Sequence, residues 1–102
     1  MWVKKLVQES RIRLATWNIG TLTAQSIELV DTMKRRRFNI ACLQETKWKG
    51  KKAKDIDGFQ LWYTREANNK NGVGIIVDKD LKEEVIDVNR IGDRIIVIKL
   101  VL

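Results

Sequence analysis

The sequence contains no histidine and no proline, and its one cysteine is Cys42. Without histidine there is no Ser-His or Cys-His catalytic pair and no imidazole ligand for a metal. A lone cysteine excludes an internal disulfide and a multi-cysteine zinc site, so a reducing compartment is the default expectation. No apolar run approaches the roughly 18 residues of a membrane-spanning helix. We therefore expect an intracellular protein, neither secreted nor transmembrane, with nucleus and cytoplasm both open.

Charge is plentiful but unevenly distributed along the 102 residues, with 20 Lys and Arg against 13 Asp and Glu and a net charge of +7. Residues 1–54 hold 13 of the basic side chains and only four acids, whereas residues 55–102 are slightly acidic. Two basic runs, 34–37 and 47–54, suit a polyanion because each neutralised phosphate releases counterions. A solvated helix end and a solvated loop are the alternative, since cations also favour a helix C-terminus.

The first half of the chain predicts a strand, a helix and a second strand. Apolar alternation indicates a strand over 12–17, and the helix begins with Thr21 or Thr23 as its cap and runs to about Arg37. The apolar run 40–43 is typical of a strand buried on both faces. Such a unit joins two parallel strands through a right-handed crossover.

The second half predicts further strands and few other elements. A lysine-rich loop is expected over 47–58, and Asn71-Gly72 is the sharpest turn signal. The fold class is therefore α/β, a mixed sheet of about six strands with one main helix. The later strands are expected over residues 59–64, 73–77, 83–88 and 94–102.

Several of these strands are apolar at consecutive positions, so both faces of the sheet require cover. One amphipathic helix covers only part of one face. The sequence ends within its most hydrophobic strand, at Leu100-Val101-Leu102. We expect either that it is the first part of something longer, completed by a missing C-terminal half, or that it offers a self-association surface.

Four sequence blocks occur in a characteristic order: Thr16-Trp17-Asn18, Leu43-Gln44-Glu45-Thr46-Lys47, Asn71-Gly72-Val73-Gly74-Ile75 and Asp93-Arg94-Ile95. In order and spacing they resemble the endonuclease/exonuclease/phosphatase superfamily, the DNase I-like proteins. Within this superfamily, the sequence is most similar to LINE-type retrotransposon endonucleases and to the group called craniofacial development protein 2-like. The resemblance spans about residues 11–102.

The resemblance implies the N-terminal half of a four-layered α/β sandwich. Residues 1–10 would be an N-terminal extension, and residues 11–102 a truncated endonuclease/exonuclease/phosphatase domain. The implied parent activity is Mg²⁺-dependent endonucleolytic nicking of DNA, with DNA as the partner of the full-length parent and no membrane. Mn²⁺ is the alternative metal.

The same resemblance assigns two catalytic residues. Glu45 would be the carboxylate that binds the metal, and Asn18 would lie beside the metal and the scissile phosphate, flanked by Gln44 and Lys47. One carboxylate with waters and substrate phosphate is a coordination that Mg²⁺ accepts. Three features depart from the family pattern. Gly20 stands where apurinic-site enzymes carry an acid, and the Asp-x-Asn and Ser-Asp-His motifs are not in the sequence. The isolated chain is therefore expected to be inactive.

Simpler interpretations remain open at each position. Glu45 is also an ordinary surface acid after a strand, and Asn18 an ordinary turn residue. Cys42, in an apolar strand, is most simply a small buried hydrophobe. The candidate nucleic-acid contacts mix base-stacking and phosphate-binding types, with a solvated loop as the alternative: Lys47, Trp48, Lys49, Lys51 and Lys52.

Three functions thus follow from the sequence. The first is a fragment of a Mg²⁺-dependent phosphodiesterase. The second is a non-catalytic basic module that binds nucleic acid. The third is a retrotransposon-derived relic with no selected role.

Overall fold

A computed structural model describes residues 12–18, 26–46, 50–65, 72–92 and 95–101. Among these residues, no helix has the length and apolarity to cross a membrane. The elements, in chain order, are β1 (Leu14–Asn18), α1 (Ser26–Arg36), β2 (Ile40–Thr46), β3 (Gly50–Ile56), β4 (Phe59–Arg65), β5 (Gly72–Val77), a short 3₁₀ helix (Lys82–Glu84), β6 (Val85–Ile91) and β7 (Ile95–Leu100).

Five of the strands form one mixed sheet in the order β1-β2-β5-β4-β3. β1 and β2 are parallel, with Leu14 opposite Ile40 and Asn18 opposite Gln44. The other neighbours are antiparallel. The predicted strand–helix–strand unit is confirmed, and the carboxyl ends of its two parallel strands meet at one edge of the sheet. The predicted helix caps, Thr21 and Thr23, lie outside the described residues.

The helix α1 covers one face of this sheet. Its apolar residues Leu29 and Val30 are buried, and so is Met33, which follows them by four and three residues as a single stripe requires. They pack on buried side chains that β2, β4 and β5 contribute to the same face: Ala41, Leu43, Phe59, Leu61, Tyr63 and Ile76. This cluster is the larger of two apolar cores among the described residues.

The opposite face is partly covered by a separate antiparallel hairpin, β6–β7. Ile96, Ile98 and Leu100 of the hairpin pack over Ile75 and its buried neighbours. The guanidinium Nε of the hairpin residue Arg90 also donates to the main-chain oxygen of Tyr63 at 3.3 Å. The large apolar side chains that point outward from the hairpin are exposed: Ile86, Ile91, Ile95 and Val97. The described strands thus number seven in two sheets, not about six in one.

The prediction of a loop over 47–58 was wrong for most of these residues, because Gly50–Ile56 form the edge strand β3. The strand is followed by a two-residue turn in which Asp57 and Gly58 have φ of 52° and 87°. Both central residues of a type I′ turn need positive φ, which makes Asp-Gly a strong hairpin signal. Lysine is common on exposed edge strands, where it opposes edge-to-edge aggregation. The lysine-rich composition therefore led to the prediction of a loop where the chain forms a strand.

A network of hydrogen bonds ties three strands together at the amino ends of β1 and β2. The main-chain N–H of Arg13 donates to Asn39 Oδ1 at 2.7 Å, and Asn39 Nδ2 donates to Asp78 Oδ2 at 2.7 Å. The other oxygen of this buried carboxylate accepts from the main-chain N–H groups of Asp80 and Leu81. Because every carboxylate oxygen is paired, Asp78 has a structural role at this end of the sheet.

Two exposed aspartates beside the β3–β4 turn should make stability depend on acid pH. Lys82 Nζ donates to Asp55 Oδ2 at 2.8 Å and the Gly58 N–H donates to Oδ1 at 3.1 Å, and these bonds lower the pKa of Asp55. The hydrogen bond from Lys34 likewise lowers the pKa of Asp57. A lowered folded-state pKa stabilises the fold above the ordinary value of 3.8, and the stabilisation is lost as pH falls through the folded pKa.

The urea midpoint of the wild type should therefore fall more between pH 6 and pH 3 than that of Asp55→Asn, which has no carboxylate to protonate at this position. Equal falls for the two proteins would show that the contacts of the Asp55 carboxylate do not stabilise the folded state.

Candidate metal and phosphate site at the ends of β1 and β2

Asn18 and Glu45 lie at the same end of the sheet because β1 pairs in parallel with β2. Asn18 is the last residue of β1 and lies opposite Gln44, the residue before Glu45. All three side chains are exposed at this edge of the sheet. An amide and a carboxylate at adjacent strand ends offer oxygen ligands of the kind that Mg²⁺ prefers. The two residues that the motifs predicted as catalytic therefore share one edge.

The backbone at Glu45 is unusual. Its φ is 56°, in the left-handed region, and the pairing of β2 with β5 shifts between Gln44 and Thr46. Glu45 is thus the extra residue of a β-bulge, a device that re-aims a side chain and often lies next to active sites. A non-glycine residue in this conformation costs about 1–2 kcal/mol. Strain of this kind concentrates at functional sites.

Two buried hydroxyl groups near this edge have no hydrogen-bond partner among the described residues. They belong to Thr46, which follows Glu45, and Thr64, both 0% exposed. Thr64 lies in one cross-strand row with Val73, Gln44 and Asn18. Buried polar atoms are nearly always satisfied, by water or a ligand when not by protein. Polar groups are therefore buried beneath this edge as well as exposed on it.

The glycine of the third sequence block has a packing explanation. A Cβ on Gly74 would stand 3.2 Å from the main-chain oxygen of Trp62, closer than most such contacts, and 3.5 Å from Leu43 Cδ1. Gly74 also lines a cleft of about 190 Å³ that Cys42, Gln44 and Ile96 border. The absence of a side chain lets β4 and β2 approach β5 closely beside the candidate site.

Cys42 does not have the environment expected of a small buried hydrophobe, because its side chain is exposed. It lies on the face opposite α1, where the β6–β7 hairpin leaves part of the sheet open. The prediction that β2 is buried on both faces was therefore wrong at this position: its first two residues are buried, but Cys42 is not.

The predicted nucleic-acid contacts are only partly described. Lys47, Trp48 and Lys49 lie outside the described residues. Lys51 and Lys52 are in β3, with Lys51 opposite Thr64. Four interstrand spacings separate β3 from β1, which places these residues about 19 Å from the Asn18 edge. Glu45, in β2, is three interstrand spacings or about 14 Å from β3, so Lys51 and Lys52 do not adjoin the candidate metal ligand.

The described residues hold no cluster of three or more metal-ligating His, Cys, Asp or Glu side chains. A metal at this edge would take Glu45 as its charged ligand, with the amide oxygen of Asn18 as a neutral one. Water or phosphate oxygens would complete the shell, and Mg²⁺ accepts such a site because it dehydrates reluctantly. The donor chemistry thus fits a hard cation.

Sequence reasoning missed the bulge at Glu45 and the two buried threonines. The Gln44-Glu45-Thr46 block contains no glycine or asparagine that would signal a left-handed residue. Thr46 belongs to the family-like block, but its burial depends on neighbouring strands that the local sequence does not reveal.

Comparison with known proteins agrees with the motifs. The profile of the endonuclease/exonuclease/phosphatase family matches residues 15–99. Craniofacial development protein 2 of Bos taurus is 27% identical over 88 residues, which cover 84% of this chain and 15% of that protein. The same protein of Tragulus javanicus is 28% identical over 85 residues, covering 81% and 15% respectively. The chain therefore spans about 15% of the length of these curated relatives. No solved structure gives a significant match. The chain belongs to the endonuclease/exonuclease/phosphatase family.

Proposed function

We propose that the edge formed by Asn18 and Glu45 binds Mg²⁺, or Mn²⁺ in its place, beside a phosphodiester of DNA. The chain would then be the N-terminal part of a metal-dependent phosphodiesterase of LINE-type endonuclease descent. The observation that supports this most is the left-handed bulge at Glu45, whose preceding residue Gln44 pairs with Asn18 at the end of β1.

Each residue of the edge has a separate role in this proposal. The Glu45 carboxylate would hold the cation, which when bound neutralises charge on the phosphate and on the leaving oxygen. Asn18 Nδ2 would donate to a non-bridging phosphate oxygen and orient it, or its Oδ1 would accept from a water. The buried hydroxyl of Thr46, the residue after Glu45, supplies a further polar group beneath the edge.

The chain lacks two groups that hydrolysis in this family would need. We propose that residues outside this sequence supply the water-orienting Asp-x-Asn motif and the histidine base, and that they complete a four-layered sandwich over the outer face of β6–β7. The exposed isoleucines and valine of that hairpin support this arrangement, since such apolar strands are normally covered. The chain alone would bind metal without hydrolysing DNA.

A plasmid-nicking assay in Mg²⁺ tests the proposal on the purified chain. No conversion of supercoiled to open-circular DNA above the rate of a buffer control is expected, because neither a general base nor a water-orienting carboxylate is present. Nicking that Glu45→Gln abolishes would contradict the proposed inactivity while supporting the site. Nicking that survives Glu45→Gln would contradict the site itself.

A further inference from the structure

A group of four arginines lies where α1 ends and β1 begins, at the end of the sheet opposite to Asn18 and Glu45, and Arg13, Arg36 and Arg37 of this group lie beside Phe38. We call it the arginine corner, and it consists of Arg13, Arg35, Arg36 and Arg37. All four side chains are exposed. The guanidinium of Arg13 lies 5.5 Å from the centre of the Phe38 ring. The Arg35 side chain donates to Thr32 Oγ1 at 3.3 Å.

Asp80 borders the same cleft as Arg37, but no acidic side chain among the described residues forms an ion pair with the corner. Within the described residues, none of the four arginines forms a salt bridge, whereas the neighbouring Lys34 pairs with Asp57. Asp78 is buried and its oxygens are occupied by Asn39 and main-chain N–H groups. Uncompensated like charges destabilise a fold, so several exposed guanidiniums held together favour an external anion.

The favourable interaction of cations with a helix C-terminus does not account for the whole corner. It applies to Arg35 and Arg36 in the last turn of α1. Arg13 precedes β1, and Arg37 lies just beyond the helix. Only part of the cluster is therefore explained by the helix.

Arg37 moreover occupies a position at which glycine is the usual residue. Its φ is 58°. The Arg37 N–H donates to the Lys34 oxygen at 3.3 Å and the Phe38 N–H to the Met33 oxygen at 3.0 Å. This pair of bonds is the Schellman motif, whose left-handed residue is usually glycine because a Cβ is strained there. An arginine at this point stabilises the helix end less well than glycine would.

We propose that the arginine corner binds phosphates of a nucleic-acid backbone, at a surface separate from the Asn18–Glu45 edge. That these phosphates belong to a nucleic acid rests on the proposed function. Guanidinium groups suit phosphate because their planar fork donates two parallel hydrogen bonds, and they stack on aromatic rings as Arg13 does on Phe38. From Ile40 to Glu45 the rise along β2 is about 17 Å, so the two surfaces are distinct.

Fluorescence anisotropy with a labelled 20-base-pair DNA duplex, measured in EDTA over a series of salt concentrations, tests this proposal on the whole chain. Arg37→Gly should weaken binding roughly 3- to 10-fold at physiological salt and reduce the salt slope by about 1. The same variant should unfold at a higher temperature than the wild type, because glycine relieves the left-handed strain. A loss of binding with a gain of stability cannot arise from partial unfolding.

Two matched variants complete the design. Arg37→Lys keeps the charge, so the salt slope should stay near that of the wild type. Lys99→Gln removes one exposed charge from the outer face of the hairpin, and it should alter affinity less than twofold. Unchanged DNA affinity and slope in Arg37→Gly, or equal losses in Arg37→Gly and Lys99→Gln, would overturn the proposal. Anionic lipid vesicles present phosphates from a different source. If Arg37→Gly lost binding to such vesicles and kept its binding to DNA, that result would also overturn the proposal. Because EDTA removes divalent cations, failure of the metal site would leave these outcomes unaffected.

Discussion

Replacing Leu61 with alanine is expected to lower the free energy of unfolding by about 2–5 kcal/mol. Leu61 is 1% exposed and lies in β4, within the cluster that joins α1 to the sheet. The variant loses the transfer free energy of the buried carbons and leaves a cavity among tightly packed neighbours. A domain of this size has only about 5–15 kcal/mol of stability, so much of it would be lost.

Urea denaturation followed by tryptophan fluorescence measures this effect. Val97→Ala is the matched control, since Val97 is 46% exposed on the outer face of β7 and should cost less than about 1 kcal/mol. Similar losses in the two variants would contradict the assignment of the core to the α1 face of the sheet.

Replacing Glu45 should produce the largest effect on metal binding. Glu45→Gln keeps the shape of the side chain and removes its charge, so Mg²⁺ affinity should fall at least tenfold. Glu45→Gly should lose the metal as well, but it should raise the free energy of unfolding by about 1 kcal/mol, because glycine tolerates the positive φ.

Isothermal titration with Mg²⁺ and urea denaturation of the same two variants separate the effects. Asp80→Asn, which removes an exposed carboxylate at the opposite end of the sheet, is the control for non-specific attraction of cations. Glu45→Gly that is less stable than the wild type would contradict the strained bulge. Equal loss of affinity in Glu45→Gln and Asp80→Asn would contradict a specific site.

The parallel strand–helix–strand unit could be predicted from the sequence because an alternating apolar pattern precedes the amphipathic helix and a continuous apolar run follows it. The predicted stripe was Ile27, Val30 and Met33, with Leu29 beside them. Leu29, Val30 and Met33 are buried, whereas Ile27 is 49% exposed. The apolar run from Ile40 forms the strand that follows the helix. The family-like blocks predicted that Asn18 and Glu45 belong together, and β1–β2 pairing places them at one edge.

Most of the rest depended on interactions that local sequence does not encode. Composition favoured a loop where β3 lies, although Asp57-Gly58 is a hairpin signal that alone could have corrected it. The exposure of Cys42 depends on how much of the sheet the β6–β7 hairpin covers. The left-handed φ of Glu45 arises from a register shift between β2 and β5, which only the pairing of whole strands determines.

Mn²⁺ titration of the ¹⁵N-labelled chain would test whether a divalent cation binds at the Asn18–Glu45 edge, as proposed. Paramagnetic broadening should first remove the amide signals of residues 16–18 and 44–46, and it should leave those of Arg36 and Asp78, at the other end of the sheet, sharp. Glu45→Gln should abolish this pattern. Broadening centred on other acids, such as Asp80 or Glu84, or a pattern unchanged in Glu45→Gln, would contradict the claim.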